Sequence, residues 1–419
     1  MPYREQIPID KGVDNTAKLL LEGYQYITNR RNRFGRDIFE TRMLGGQKAI
    51  CVAGEEAVKM FYDEGKLIRQ GAAPKRLRQT LFGEHAIQTM DGENHRHRKE
   101  LFMSLMTRER LEDIKVMMRM LLNDSVGKWT REKEVQVYGE MCQLLTKAAC
   151  EWAGVPLGAD EVKKRTNELE AMFDSGGALG ARHWKGRNAR NCAENWLKKM
   201  VQDVRNGVIE APQDTALYKM SWYQDKNGEL LNEQMVAVEL LNILRPIVAV
   251  AVYITFGALA LYEHPAEKEK LRTKPSVYYE LFVQEVRRYY PFFPILVARV
   301  RDDFLWNGHD FRKGNLVLLD IYGTNHHPDI WEHPYTFDPE RFKNRDENLY
   351  DFIPQGGGDY YRGHRCPGEW LTIELMKETI DFLVNDIEYD VPKQDLRFSM
   401  RRFPSLPKSR FVISHIRIK

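Results

Sequence analysis

One of the five cysteines in this chain stands among residues that could do chemistry. Cys366 follows Gly356, Gly357 and Gly358, then Gly363, His364 and Arg365, and is followed by Pro367 and Gly368. Glycines let backbone amides approach a sulfur closely. Those donors and the adjacent cations favour thiolate over thiol. A helical run from Glu369 adds the positive end of a helix. A thiolate held this way ligates a metal or acts as a nucleophile; the bland alternative is a glycine-rich surface turn with an incidental cysteine. Cys51, Cys142, Cys150 and Cys192 read as small buried apolar residues. No CxxC or paired spacing supports a disulfide framework or a structural zinc site.

Arg245 is the only cation between Asn232 and Glu263, on a run that otherwise reads as an apolar helix. A guanidinium keeps its proton, so burying one costs roughly several kcal/mol unless an anion meets it. Pro246 is expected to kink that helix and free a carbonyl. Glu285 and Arg288 lie three apart, where one helix face lets them pair. Asp338, Glu340, Arg341 and Phe342 follow, and the Cys366 loop comes after them.

The elements that must position these groups are mostly helices. Apolar residues recur at three- and four-residue spacing over 112–129, 135–152, 188–206 and 232–262. Two strands, 38–43 and 47–53, flank Gly45 and Gly46 as a hairpin. Short strands are expected again at 304–306, 309–311 and 315–321, with Asn307 and Gly308 as a turn, and a last strand begins at Phe411. The fold class is therefore mainly α with small sheets near each end of the chain. Hydrophobic residues make up 43% and charged residues 29%, ample for a large core, and 63 Lys and Arg against 60 Asp and Glu leave a net charge of +3. That balance argues against nucleic acid and against a polybasic membrane-surface protein. The polar opening, with no signal or anchor, and the apolar run 247–262, too short for a bilayer span, point to a cytoplasmic protein without a membrane span.

In their order and spacing, these motifs resemble the cytochrome P-450 superfamily. Glu285 and Arg288 match its ExxR helix, and Arg341 matches the third member of the same ion network. Phe352 and the run Gly363 to Gly368 match its haem-binding loop. The resemblance covers the whole chain and implies one triangular helical domain, residues 1–419, with haem b held by Cys366 as axial ligand. A thiolate ligand favours O–O cleavage. Glu285, Arg288 and Arg341 are then structural.

Two departures narrow the family. The long helix lacks the acid–alcohol pair of oxygen-activating members and carries Arg245-Pro246 instead, and the Cys366 loop is lengthened. With the passages 85–92 and 282–292, these resemble the bacterial fatty-acid peroxygenases, related to the alkene-forming fatty-acid decarboxylases. That likeness implies peroxide-dependent hydroxylation of long-chain fatty acids at the alpha or beta carbon, with no redox partner. Arg245 would clamp the substrate carboxylate, which then does the acid–base work; its other reading is an internal pair with a haem propionate or Glu239. Gln88 stands where the decarboxylases carry histidine, which favours hydroxylation over alkene formation; its bland reading is a loop anchor. Phe82 and Phe292 match pocket-lining residues, and Phe173 stands where relatives vary with alpha or beta preference. His95 matches a propionate anchor, with Lys99 or Arg98 as the accompanying cation, and His364 matches another propionate contact. The remaining readings are a redox-partner-dependent monooxygenase and a non-catalytic haem or fatty-acid binding protein.

Overall fold

In a computed structural model, which describes residues 6–273 and 275–419, the long apolar run becomes a single helix, Glu233–Glu263, through the middle of the molecule. The polar opening Met1 to Glu5 lies outside the described residues. Asn232 starts this helix, its side chain accepting from the Met235 N–H. A helix that is apolar all round is stable only when covered all round. Val137–Ala153, Ala181–Arg205 and Glu369–Asp381 pack against it. It is long and apolar enough to cross a membrane, but 89% of its apolar window is buried inside the protein. The helix runs on through Pro246, which has no N–H to offer the Asn242 carbonyl.

Expected helices recur at Arg108–Trp129, Val137–Ala153 and Ala181–Arg205. Their starts differ from the periodicity: the first and third begin four and seven residues earlier, and the second begins two later. Val135 belongs to the strand Glu134–Gln136, which pairs antiparallel with Val412–Ile418, so the helix begins only at Val137. Local periodicity could not register a partner strand at the far end of the chain. Cys192 also departs from expectation: it lies exposed, whereas Cys51, Cys142 and Cys150 are buried.

The first strands join later strands in one sheet, while Val412–Ile418 pairs with Glu134–Gln136 and Ile387–Asp390 in a separate three-stranded sheet. Ile38–Met43 and Gln47–Val52 make the expected hairpin, and Gln47–Val52 then pairs parallel with Leu316–Asp320, Ala49 opposite Leu316. Ile295–Val300 and Leu67–Ile68 complete one five-stranded sheet. Phe304–Trp306 and His309–Phe311 form a hairpin on Asn307 and Gly308, both at positive φ (47° and 78°). That is the two-residue turn whose twist matches the strands.

Glu285 and Arg288 meet on the helix Pro275–Tyr289, wholly buried, with Arg288 Nε at 2.6 Å and Nη2 at 2.7 Å from the carboxylate. Arg341 Nε reaches the same carboxylate at 3.3 Å, and the Asp338 N–H donates to it at 2.8 Å. Their remaining N–H groups donate to carbonyls of Asn325, Pro334 and Thr336 for Arg288, and of Glu332 and Thr336 for Arg341. The three charges thus fasten the 325–341 segment, and Asn325 in turn accepts the Ile353 N–H at the start of the cysteine loop.

Candidate active site

The cysteine loop is held by residues on three sides. Gln355 accepts the Cys366 N–H through its carbonyl at 3.1 Å, and its side-chain amide lies 3.7 Å from Sγ and 3.1 Å from Thr372 Oγ1. Arg287 donates to Gln355 Oε1 at 3.0 Å and pairs with Glu369, which also takes Arg365 Nε at 2.6 Å. Arg287 stands beside the expected Arg288 yet points to the loop itself, a role the sequence motif did not assign. Gly356 sits at φ 93°, and a Cβ there would stand 2.7 Å from the Tyr62 hydroxyl. The extra loop length is a turn in which Asp359 Oδ1 accepts the N–H groups of Tyr361 and Arg362. Tyr360 closes it by donating to the Pro367 carbonyl at 2.7 Å.

Burial pushes Cys366 above its ordinary range; Lys99, the Gly368 N–H and Gln355 oppose that push, and Glu369 adds to it. Arg365, expected to favour thiolate, is spent on Glu369. Either chemistry open to this cysteine requires the proton to leave, and a bound metal displaces it.

Cys366 forms one wall of a cavity of about 520 Å³. Arg245, Pro246, Val250 and Gln88 line the same cavity, as do Phe82, Phe173 and Phe292. His95, Lys99, Gly363, His364 and Gly368 also face it, together with Arg69 and Tyr62, which the sequence did not single out. His95 and His364 stack at 3.8 Å, and His364 lies 3.8 Å from Asp91. Burial lowers the two imidazoles to about 3 and about 4, and the Lys99 ammonium to about 8. Among the described residues His95 Nδ1 is buried without a partner. A cluster of donors with too little negative charge, apolar walls and one axial sulfur fits haem b: Cys366 for the iron, and Arg69, His95, Lys99 and His364 as candidates for the propionates. Arg98 does not belong to this set. It turns away to pair with Glu239 at 2.7 Å and lies over the Tyr223 ring.

That pairing also decides the fate of Arg245. Glu239, fully buried, is occupied by Arg98, by the Ile87 N–H at 3.0 Å and by Asn242 Nδ2 at 3.1 Å. Complete burial pushes its carboxyl upward, against the pull of Arg98. Among the described residues Arg245 Nη2 then reaches only Asn242 Oδ1, at 3.2 Å, and its Nε has no partner. Among the described residues no carboxylate pairs with Arg245, which is 6% exposed. Burial, with Arg190 adding like charge, lowers its guanidinium to about 9, so it remains a cation at neutral pH. Arg98, Glu239, Asn242 and Arg245 form a chain that fixes the clamp and, through Ile87, the loop carrying Gln88, whose buried Oε1 has no partner. Glu239, Asn242 and Arg245 are three apart, a one-face spacing visible in the sequence. Asn242→Leu should leave the haem spectrum unchanged and lower kcat/KM for a long-chain acid about tenfold, one hydrogen bond to a charged group. Steady-state kinetics check it.

The cytochrome P-450 family model matches residues 276–412. Cytochrome P-450 26B1 of Xenopus tropicalis is 23% identical over 89% of this chain and 80% of that protein. Among solved structures, CYP152N1 with myristic acid is 47% identical, covers 99% of this chain and 100% of its own, and superposes with a TM-score of 0.96. CYP152B1 with (R)-ibuprofen gives 45%, 97% and 100%, with a TM-score of 0.95. An OleT variant with arachidonic acid gives 39%, 99% and 99%, with a TM-score of 0.97. At such identity over its whole length, this chain belongs to the cytochrome P-450 superfamily, in its CYP152 group, with haem b as cofactor.

Proposed function

We propose that this enzyme hydroxylates long-chain fatty acids at the alpha or beta carbon with hydrogen peroxide as oxidant, needing no redox partner. The observation that carries the reading is Arg245: a buried guanidinium beside the Cys366 cavity, with one amide oxygen for company and no carboxylate among the described residues. Two similar solved structures hold myristic and arachidonic acids, whose carboxylates are of the kind Arg245 lacks. Arg245 binds that carboxylate through charge-assisted hydrogen bonds. Held there, the carboxylate accepts a proton from one oxygen of the peroxide and returns it to the departing oxygen. Haem b, when bound, supplies the O–O cleavage that a thiolate ligand favours. Fixing the carboxylate leaves the neighbouring carbons nearest the reaction centre, so regiochemistry follows from position.

Gln88, Phe82, Phe292 and Phe173 line the same cavity as Arg245, and in this reading they shape the space around the bound acid. With glutamine at 88, terminal alkene is a minor product. A methylene buried along the apolar walls is worth about 0.8 kcal/mol, so neighbouring chain lengths are distinguished only weakly. Residues 1–419 act as one domain in the cytoplasm. The competing reading, a monooxygenase fed by electron-transfer proteins, needs a proton relay on the long helix, where Ile243, Leu244, Ile247 and Val248 offer none. The test is product analysis of the purified holoenzyme with a long-chain acid and either peroxide alone or NADPH plus a reductase and ferredoxin. Hydroxy acid with peroxide alone is expected; turnover only with the electron-transfer proteins rejects the reading.

A further inference from the structure

The far end of the cavity opens beside Leu20, Leu44, Arg182 and Arg401, which line it. Leu20 and Leu44 are exposed there, and Leu179 and Trp184 beyond them are more than half exposed. These residues converge from distant parts of the chain. Leu20 lies on the helix Thr16–Glu22, whose terminal Gly23 abuts Met400 and Arg401. Arg182, at the start of Ala181–Arg205, donates to the Phe403 carbonyl. Trp184 follows on the same helix with Arg187 over its ring at 5.3 Å. Arg76 is a neighbour as well: burial, with Arg76 and Arg187 alongside, lowers the His183 imidazole.

Around this apolar rim the charge is one-sided. Among the described residues Lys75, Arg76, Lys185, Arg187 and Arg401 have no carboxylate partner. The nearby acids are already occupied, Glu22 by Arg30 and Asp174 by Arg402. The near-neutral total of +3 therefore hides a local basic ring around exposed leucine and tryptophan. Apolar side chains that enter the headgroup layer, ringed by cations, complement an anionic lipid surface.

We propose that this rim docks the enzyme on an anionic phospholipid surface, from which free fatty acid enters the cavity carboxylate first. The proposal rests on the reading of Arg245 as a carboxylate clamp. Arg245 lies deep in the cavity, so the carboxylate must lead, and a fatty acid in a leaflet presents its carboxylate outward to a protein docked above it. An acidic acyl-carrier protein would also meet the basic ring, but its thioester has no carboxylate for Arg245.

Flotation of the holoenzyme with vesicles rich in phosphatidylglycerol tests this, with phosphatidylcholine vesicles as control. Wild type should float with the anionic vesicles, less at high salt, and not with the control. The variant Arg76→Glu/Lys185→Glu/Arg187→Glu should reduce partitioning on the order of 100-fold. Leu179→Ser/Trp184→Ser should also reduce it, while the thermal midpoint and peroxide-driven turnover of a dissolved acid stay at wild-type values. Failure of wild type to bind anionic vesicles, equal binding by the charge-reversed variant, or binding to an acidic carrier protein but not to vesicles overturns the proposal. Product analysis with peroxide judges the Arg245 reading separately, because vesicle binding requires no turnover.

Discussion

Arg245→Met should abolish peroxide-driven oxidation of a long-chain acid while the protein still folds and holds haem. Methionine fills the volume of the stem and removes the only buried cation of the long helix. Two losses then add. A carboxylate brought into the cavity without a partner is disfavoured by about 3–5 kcal/mol. A carboxylate held out of position no longer moves the proton, a contribution of about 10² to 10⁴ in rate. Together they predict a fall in kcat/KM on the order of 10³ or more. Folding should not suffer: in the resting protein Arg245 has a single hydrogen bond and an unpartnered Nε, so its removal relieves a buried charge. A variant that is inactive yet as stable as wild type, or more so, by thermal unfolding is the expected signature. Arg245→Lys should recover part of the activity, because an ammonium supplies charge without the paired donors of guanidinium.

Glu285→Ala acts on stability instead. The carboxylate lies between Arg288 and Arg341 with no exposure, so its loss leaves two inward-facing guanidiniums without their anion. Removing one member of a buried pair costs about 3–5 kcal/mol. An exposed pair such as Arg312 with Asp303, each more than half exposed, contributes only about 0–1 kcal/mol, so Asp303→Ala is the control that should change little. The effect should spread to the haem loop, because Arg288 fastens Asn325 and Asn325 holds the Ile353 N–H. Denaturant unfolding gives the energy, and loss of haem absorbance during purification reports the loop.

The local parts of this site were legible in the sequence. Cys366 among its glycines, the Glu285 and Arg288 pair and the solitary Arg245 each depend on spacing within one element or on composition that is unusual for its element. Phe82, Gln88, His95, Lys99, Phe173, Phe292 and His364 were singled out, and all face one cavity. What the sequence hid depends on contacts between distant segments. Arg98 was a propionate candidate until Glu239, on another helix, proved to be its partner. Arg69 faces the cavity because its backbone N–H is held by Asp91 and its side chain lies over Phe61, neither of which follows from periodicity. Val135 reads as helix until Ile413 pairs with it across the chain. The same limit applies to the sheet, where Gln47–Val52 meets Leu316–Asp320. Arg365, counted in the sequence among the cations beside Cys366, has its own carboxylate in Glu369.

The central claim is that the substrate's own carboxylate, held by Arg245, does the acid–base work. The most direct measurement compares a long-chain fatty acid with its methyl ester, each with peroxide and the same holoenzyme at saturating concentration. The ester keeps the acyl chain and its apolar contacts but offers neither charge nor a basic oxygen. The account predicts hydroxylated acid and, for the ester, kcat lower on the order of 10² or more, matching the missing proton transfer. Equal turnover of acid and ester would contradict it.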